Sequence, residues 1–348
     1  MPLSNTHGSY TIRIGISMEL TYPTLNQNAV QAASDILETV PAVDMHSHLG
    51  CFYFDDEFSG RALSDMRTGR VAVCVAATIG DKPAIERTER GLRAVREVDP
   101  SLLRGASIQG FEKLNRVVEN GGAVLAKTAA DVLRAKAQGI PAVISGIEGG
   151  DYLEGDLGGV EDAYALGVRL FQLVHYRINE LGDIQTEEPR HGGLTDFGAE
   201  VVRELDRLGM VIDLAHAPFS VCRDTIKVAT GPVVVSHTVL GDVHPRCIGA
   251  DHAAMVADTG GVIGVWPSKL AVRDFAEFID GIFALADLVG PDHVGIGTDM
   301  DAVKNPVYTG YDKFHVIPEA LVAGGMDADD VGKIVGANFM RVLAAVAD

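Results

Sequence analysis

Short apolar runs alternate with longer amphipathic stretches along most of this chain. AVDMHSH, RVAVCVAATIG, GIPAVISGIEGG, VRLFQLVHY, VIDLAH, VVVSHT, VIGVWPS and HVGIGTDMD are the apolar runs, each bounded by turn residues. Runs of this length with aliphatic side chains on both faces predict strands buried on both sides of a parallel sheet. The stretches between them carry helix signals. GLTDFGAEVVRELDRLG shows them best, with Thr195 as N-cap, apolar positions at helical spacing and Gly209 as C-cap. Helical segments are also predicted over the charged region 82–99, through 110–138, from 218 to 229, and near 312–323 and 327–346. Eight strand-plus-helix units predict an α/β fold, a (β/α)8 TIM-type barrel. It occupies 43–348 as a single domain, with 1–42 forming an N-terminal extension and a helix.

Chemistry-bearing side chains recur where these strands end. His46 and His48 close the first, Glu148 the third, His175 the fourth, His216 the fifth, His237 the sixth and Asp299 the eighth. Reactive groups gathered at the carboxyl ends of parallel strands match the catalytic rim of such a barrel. Alternation along a strand turns both imidazoles of His46-Ser47-His48 to one side. Taken singly, each residue has an ordinary reading: a hydrogen-bonded core histidine, or a loop or helix-capping carboxylate for Glu148. Together, His46, His48, Glu148, His216 and His237 make five ligands. That is enough for two metal ions bridged by a carboxylate and sharing a hydroxide nucleophile. Asp299 suits a general acid or base, and His175 a hydrogen-bond donor to a developing oxyanion. Arg246, in the loop HPRCIG, is either a solvated rim arginine or a bidentate clamp for a substrate carboxylate. Asp301 reads as a loop carboxylate, and Cys51 follows the histidine pair closely enough to line a pocket. No phosphate-binding loop, dinucleotide fingerprint or serine-nucleophile elbow is present.

The bulk properties narrow the partners. Among 348 residues, 48 Asp+Glu outnumber 29 Lys+Arg, for a formal charge of −19. A field of that sign repels phosphate backbones, so nucleic acid is excluded as the expected partner. Cys51, Cys74, Cys222 and Cys247 have no short spacing, as expected of free thiols. The N-terminus lacks the basic-then-apolar pattern of a secretory signal, and no run reaches the roughly 18–20 apolar residues of a membrane span. The expectation is a soluble cytoplasmic protein.

DMHSHLG, IEGG, LVHYRINELGD, GLTDFGAEVVRELDRLGMVIDLAH, VVVSHT, HPR, VGIGTDMDAV and NFMRVL resemble, in order, the motifs of the membrane (renal) dipeptidase family. That family is a set of zinc-dependent (β/α)8 barrels in the amidohydrolase superfamily. The resemblance implies dipeptide substrates, two zinc ions per chain bridged by Glu148 and a hydroxide, and a homodimer. It also implies that His46 and His48 contribute to one zinc and that His216 with His237 hold the second. His175 would support the tetrahedral intermediate, Arg246 bind the dipeptide carboxylate, and Asp299 shuttle the proton. Two departures stand out. The family's H-x-D is His46-Ser47-His48 here, which leaves a metal pair one unit more positive. The segment MRTGRVAVCVAATIG also lacks the aromatic residues usual near the second strand. Another amidohydrolase reaction, on a cyclic amide, an N-acyl amino acid or an ester, is the alternative expectation. A barrel that binds metal without turnover is the non-enzymatic one.

Overall fold

The computed structural model describes residues 9–14, 18–23, 26–49, 56–89, 91–300, 306–308 and 310–347. Cys51 and Asp301 lie outside the described residues. Eight parallel strands run in sequential order: β1 Ala42–Ser47, β2 Val71–Ile79, β3 Ala142–Glu148, β4 Val168–Gln172, β5 Val211–Asp213, β6 Val234–Thr238, β7 Val262–Val265 and β8 Val294–Ile296. The edges of this sheet meet just past β1 and β8. There Ser47 bridges Met300, His48 N–H donates to the Met300 carbonyl at 2.8 Å, and Asp299 N–H donates to the His46 carbonyl at 2.8 Å. The result is the (β/α)8 barrel that the alternation predicts. Every residue of these strands is buried. This explains why they read as unbroken apolar runs interrupted only by functional side chains.

The helices follow the expected caps. Thr195 accepts from Gly198 N–H at 2.9 Å, and Gly209 ends the helix Asp196–Leu208 in the left-handed region at φ 70°. The predicted helical stretch 110–138 is two helices, Ser101–Gly121 and Ala129–Ala137. Gly122 at φ 63° stops the first, and a capping box between Thr128 and Asp131 starts the second. The last helix, Asn338–Ala347, lies at the amino-terminal ends of the later strands, where Arg341 donates to the carbonyls of Gly260 and Asp292.

One local expectation needs correction. Residues 82–99 are not helical: Ile85–Thr88 pairs antiparallel with Gly91–Ala94. Gly91 sits at φ 97°, which a helix cannot accommodate and a tight hairpin can. Arg93 at the hairpin is anchored to the Thr186 carbonyl at 2.9 Å, a contact 93 residues away that local charge spacing could not reveal. In the N-terminal extension, Ser9–Ile14 and Met18–Pro23 form a second antiparallel pair ahead of the helix Gln27–Thr39.

Candidate metal centre

All the strand-end residues converge in the barrel mouth. Glu148 is the last residue of β3, in register with Ile79 of β2 and Gln172 of β4, which sets its carboxylate amid the rim. Five imidazole Nε2 atoms surround it. His46, His216 and His237 approach Oε1 at 3.5, 3.2 and 3.6 Å, and His48 and His175 approach Oε2 at 3.3 Å each. His48 also lies 3.2 Å from Asp299 Oδ1, and the His46 and His237 rings stack with centroids 4.0 Å apart. Three overlapping groups have donor atoms mutually close enough for one cation. They are His46–Glu148–His237, His46–His48–Asp299 and Glu148–His175–His216.

The outward-facing ring nitrogens explain the common aim. His48 Nδ1 is 2.9 Å from the Ala77 carbonyl, which only accepts, so Nδ1 carries the proton and Nε2 of the neutral ring offers a lone pair inward. His237 Nδ1 meets Ser236 Oγ at 2.9 Å, and His175 Nδ1 meets Asp81 Oδ1 at 2.7 Å. Two turns of the site are also held in uncommon backbone geometry. His216 at φ 65° and Asp299 at φ 52° occupy the left-handed region without being glycine. The His216 carbonyl is fastened by Gln185 N–H at 2.9 Å.

The electrostatics suit a cation. Burial alone would raise Glu148, but the His175 and His46 imidazoles outweigh it and hold the carboxyl well below its usual range. Burial, aided by Arg246 and the neighbouring imidazoles, pushes His216 and His237 well below theirs, so both stay neutral with lone pairs free. Burial also opposes charge on His48, yet Asp299 and Glu148 raise it to about 10. A proton and a metal ion therefore compete for the same nitrogen. Glu148 Oε2 and His46 Nε2 are buried without a hydrogen-bond partner, which is costly for polar atoms unless a further ligand satisfies them. Imidazoles with two carboxylates form the donor set favoured by zinc-class ions. The residues fit such an ion.

Arg246 is buried rather than solvated, with 2% of its surface exposed. Its Nε donates to Gln185 Oε1 and its Nη2 to the His237 carbonyl, both at 3.3 Å, and its guanidinium lies 5.3 Å from the Trp266 ring. Among the described residues no carboxylate pairs with it. A buried guanidinium bonded only to neutral groups calls for an anion.

Sequence reasoning missed several groups. Asp81, two residues past β2, obeys the strand-end pattern that found the others and could have been read from it. Asp44 is on β1 two residues before His46, where it accepts from Thr298 N–H at 2.8 Å and from the Tyr311 hydroxyl at 2.7 Å. It thereby ties β1 to the turn carrying Asp299. Burial raises its carboxyl to about 6. Gln185 and Tyr176 left no signal in the sequence.

Imidazoles and carboxylates converging at the carboxyl-terminal rim of a (β/α)8 barrel define a barrel protein built to hold cations in its mouth. The chain belongs to the membrane dipeptidase family (peptidase family M19), whose model matches residues 30–348. It is 30% identical over 234 residues to Dipeptidase verJ of Clonostachys rogersoniana, an alignment covering 64% of this chain and 60% of the relative. The chain spans about half to three-fifths of the length of the curated relatives it matches. Among solved structures, the probable dipeptidase PvdM from Pseudomonas aeruginosa superposes with a TM-score of 0.80 at 17% identity, covering 92% of this chain and 99% of that one. A metallo peptidase from Rhodobacter sphaeroides, liganded with a phosphinate mimic of the dipeptide L-Ala-D-Ala, superposes with a TM-score of 0.73 at 20% identity over 88% and 99%. These likenesses establish the shared barrel fold.

Proposed function

We propose that this chain is a zinc-dependent dipeptidase with two ions per chain. The observation that carries the reading is the single carboxylate of Glu148 ringed by five imidazole nitrogens within 3.6 Å, beside a buried arginine that pairs with no carboxylate among the described residues. Family membership supports the reaction class, and the phosphinate-bound Rhodobacter relative supports a dipeptide as the substrate class.

His46 and His48, with Asp299 beside them, would hold one ion, His216 and His237 the other, and Glu148 would bridge the two. When bound, such a pair polarises a carbonyl and makes water a competent nucleophile near neutral pH. The protein's own groups do the rest. Arg246 pairs with the terminal carboxylate and so sets how deep the substrate enters. Asp299, 9% exposed at the rim, takes the proton of the attacking water and returns it to the leaving amine. His175 faces the oxygen on which negative charge develops.

The test is hydrolysis of a dipeptide panel by purified protein with zinc and with chelator, alongside metal analysis. Turnover that requires zinc and vanishes in chelator is expected. Undiminished turnover in chelator would overturn the mechanism.

A further inference from the structure

β2 and β4 are not neighbours in the barrel, because β3 runs between them. Their carboxyl ends nevertheless touch through one side chain. Asp81, two residues past β2 and fully buried, reaches over the end of β3 to the segment that follows β4. Its Oδ1 lies 2.7 Å from His175 Nδ1, and its Oδ2 accepts the backbone N–H groups of Tyr176 and Arg177 at 2.9 Å each. The crossing depends on glycine. A Cβ on Gly80 would lie 2.1 Å from the Gly149 carbonyl oxygen. One on Gly149, itself at φ 96°, would lie 3.2 Å from His175 Cβ. Bare backbone at both positions lets the two chain segments approach closely enough for the carboxylate to bridge them.

We infer that Asp81 is the positioning residue of His175: it fixes the ring's orientation and holds a proton on Nδ1, so that the ring can carry a second hydrogen on Nε2 and present it to the centre. An ionised carboxylate only accepts, so the nitrogen facing it must carry hydrogen. The two backbone bonds on Oδ2 prevent the carboxylate from rotating away. Nε2 is thereby presented 3.3 Å from Glu148 Oε2, in the group formed with His216. Outer groups of this kind commonly set the tautomer and direction of an active-site imidazole. The assignment rests on the reading of His175 as an active-site imidazole.

Asp81→Asn tests it with almost no change of shape. The two backbone N–H donors hold the amide oxygen at the Oδ2 position, which places the amide N–H₂ against His175 Nδ1. The ring must then carry its proton on Nε2. The experiment uses zinc-loaded, 15N-histidine-labelled protein, with the His175 signals assigned through His175→Gln. Expected are loss of the proton from His175 Nδ1, leaving a neutral ring with hydrogen on Nε2 only and so a weaker donor to the developing oxyanion, and a fall in dipeptide kcat/KM of about ten- to a hundredfold. Zinc content should hold, and Tm should stay within about 2 °C. Persistence of the Nδ1–H form, or kcat/KM within about twofold of the parent, overturns the inference. If the unmutated protein turns over no dipeptide, the dipeptidase reading fails, while the ring spectra still decide whether Asp81 sets the tautomer.

Discussion

Replacing Arg246 by Met separates a dipeptide site from other amide-hydrolysing sites. Methionine preserves much of the volume against Trp266 and removes the charge. Arg246 is buried, and its bonds to Gln185 Oε1 and the His237 carbonyl are long, at 3.3 Å, and made to neutral groups. A substrate carboxylate arriving here would form a desolvated, charge-assisted pair, and truncating one partner of such a pair costs about 2–5 kcal/mol. At about 1.4 kcal/mol per decade, that is a loss of roughly 30- to several-thousand-fold in kcat/KM. The assay compares a dipeptide with its C-terminal amide. The unmutated protein should prefer the free acid by about this factor, and the variant should lose the preference because the acid falls to the level of the amide. Thermal stability should hold or rise, since the variant removes a buried cation that has no carboxylate partner among the described residues. A variant that keeps the parent's acid-over-amide preference would refute Arg246 as the carboxylate partner. A parent with no preference would favour a neutral cyclic amide or ester instead.

Glu148→Gln removes the charge to which all five imidazoles are turned. Metal content should fall from two ions to at most one, and the drop in Tm on adding chelator to the parent should shrink with it. Free metal at a hundred times its Kd contributes about 2.7 kcal/mol to the folded state. A variant with the parent's full metal content would exclude the bridge. Glu319 gives a pH-dependent test away from the centre, because burial raises its carboxyl from 4.5 to about 7. The folded chain holds that proton over a range where the unfolded chain has released it, so stability falls as pH rises from about 4.5 to 7. Glu319→Gln should therefore stabilise by roughly 1–2 kcal/mol at pH 8, discounted for partial contact with water, and by little near pH 4. Denaturant melts at the two pH values check it, and an equal effect at both would contradict the assignment.

The correspondence between text and fold was uneven for physical reasons. Buried parallel strands must be apolar along their whole length, so a lone His or Glu at a strand end stands out. His46, His48, Glu148, His175, His216, His237 and Asp299 were legible for that reason. Asp81 follows the run RVAVCVAATIG in the same way, and the charged residues after it carry a helix-like pattern. They form a hairpin because Gly91 adopts φ 97° and Arg93 is held from the Thr186 carbonyl. Both causes lie outside helical periodicity.

Local pattern alone determined that this protein is an α/β barrel with a polar rim, because burial on both faces and helix capping act over a few residues. Tertiary structure decided which nitrogen of each site histidine faces inward, that Arg246 is buried, and that Asp81 crosses a whole strand to grip His175. Hydrogen-bond partners such as the Ala77 carbonyl behind His48 and Asp81 behind His175 lie 29 and 94 residues away. Only closure of the sheet between β1 and β8 brings the groups of the first and last strands within reach of one another.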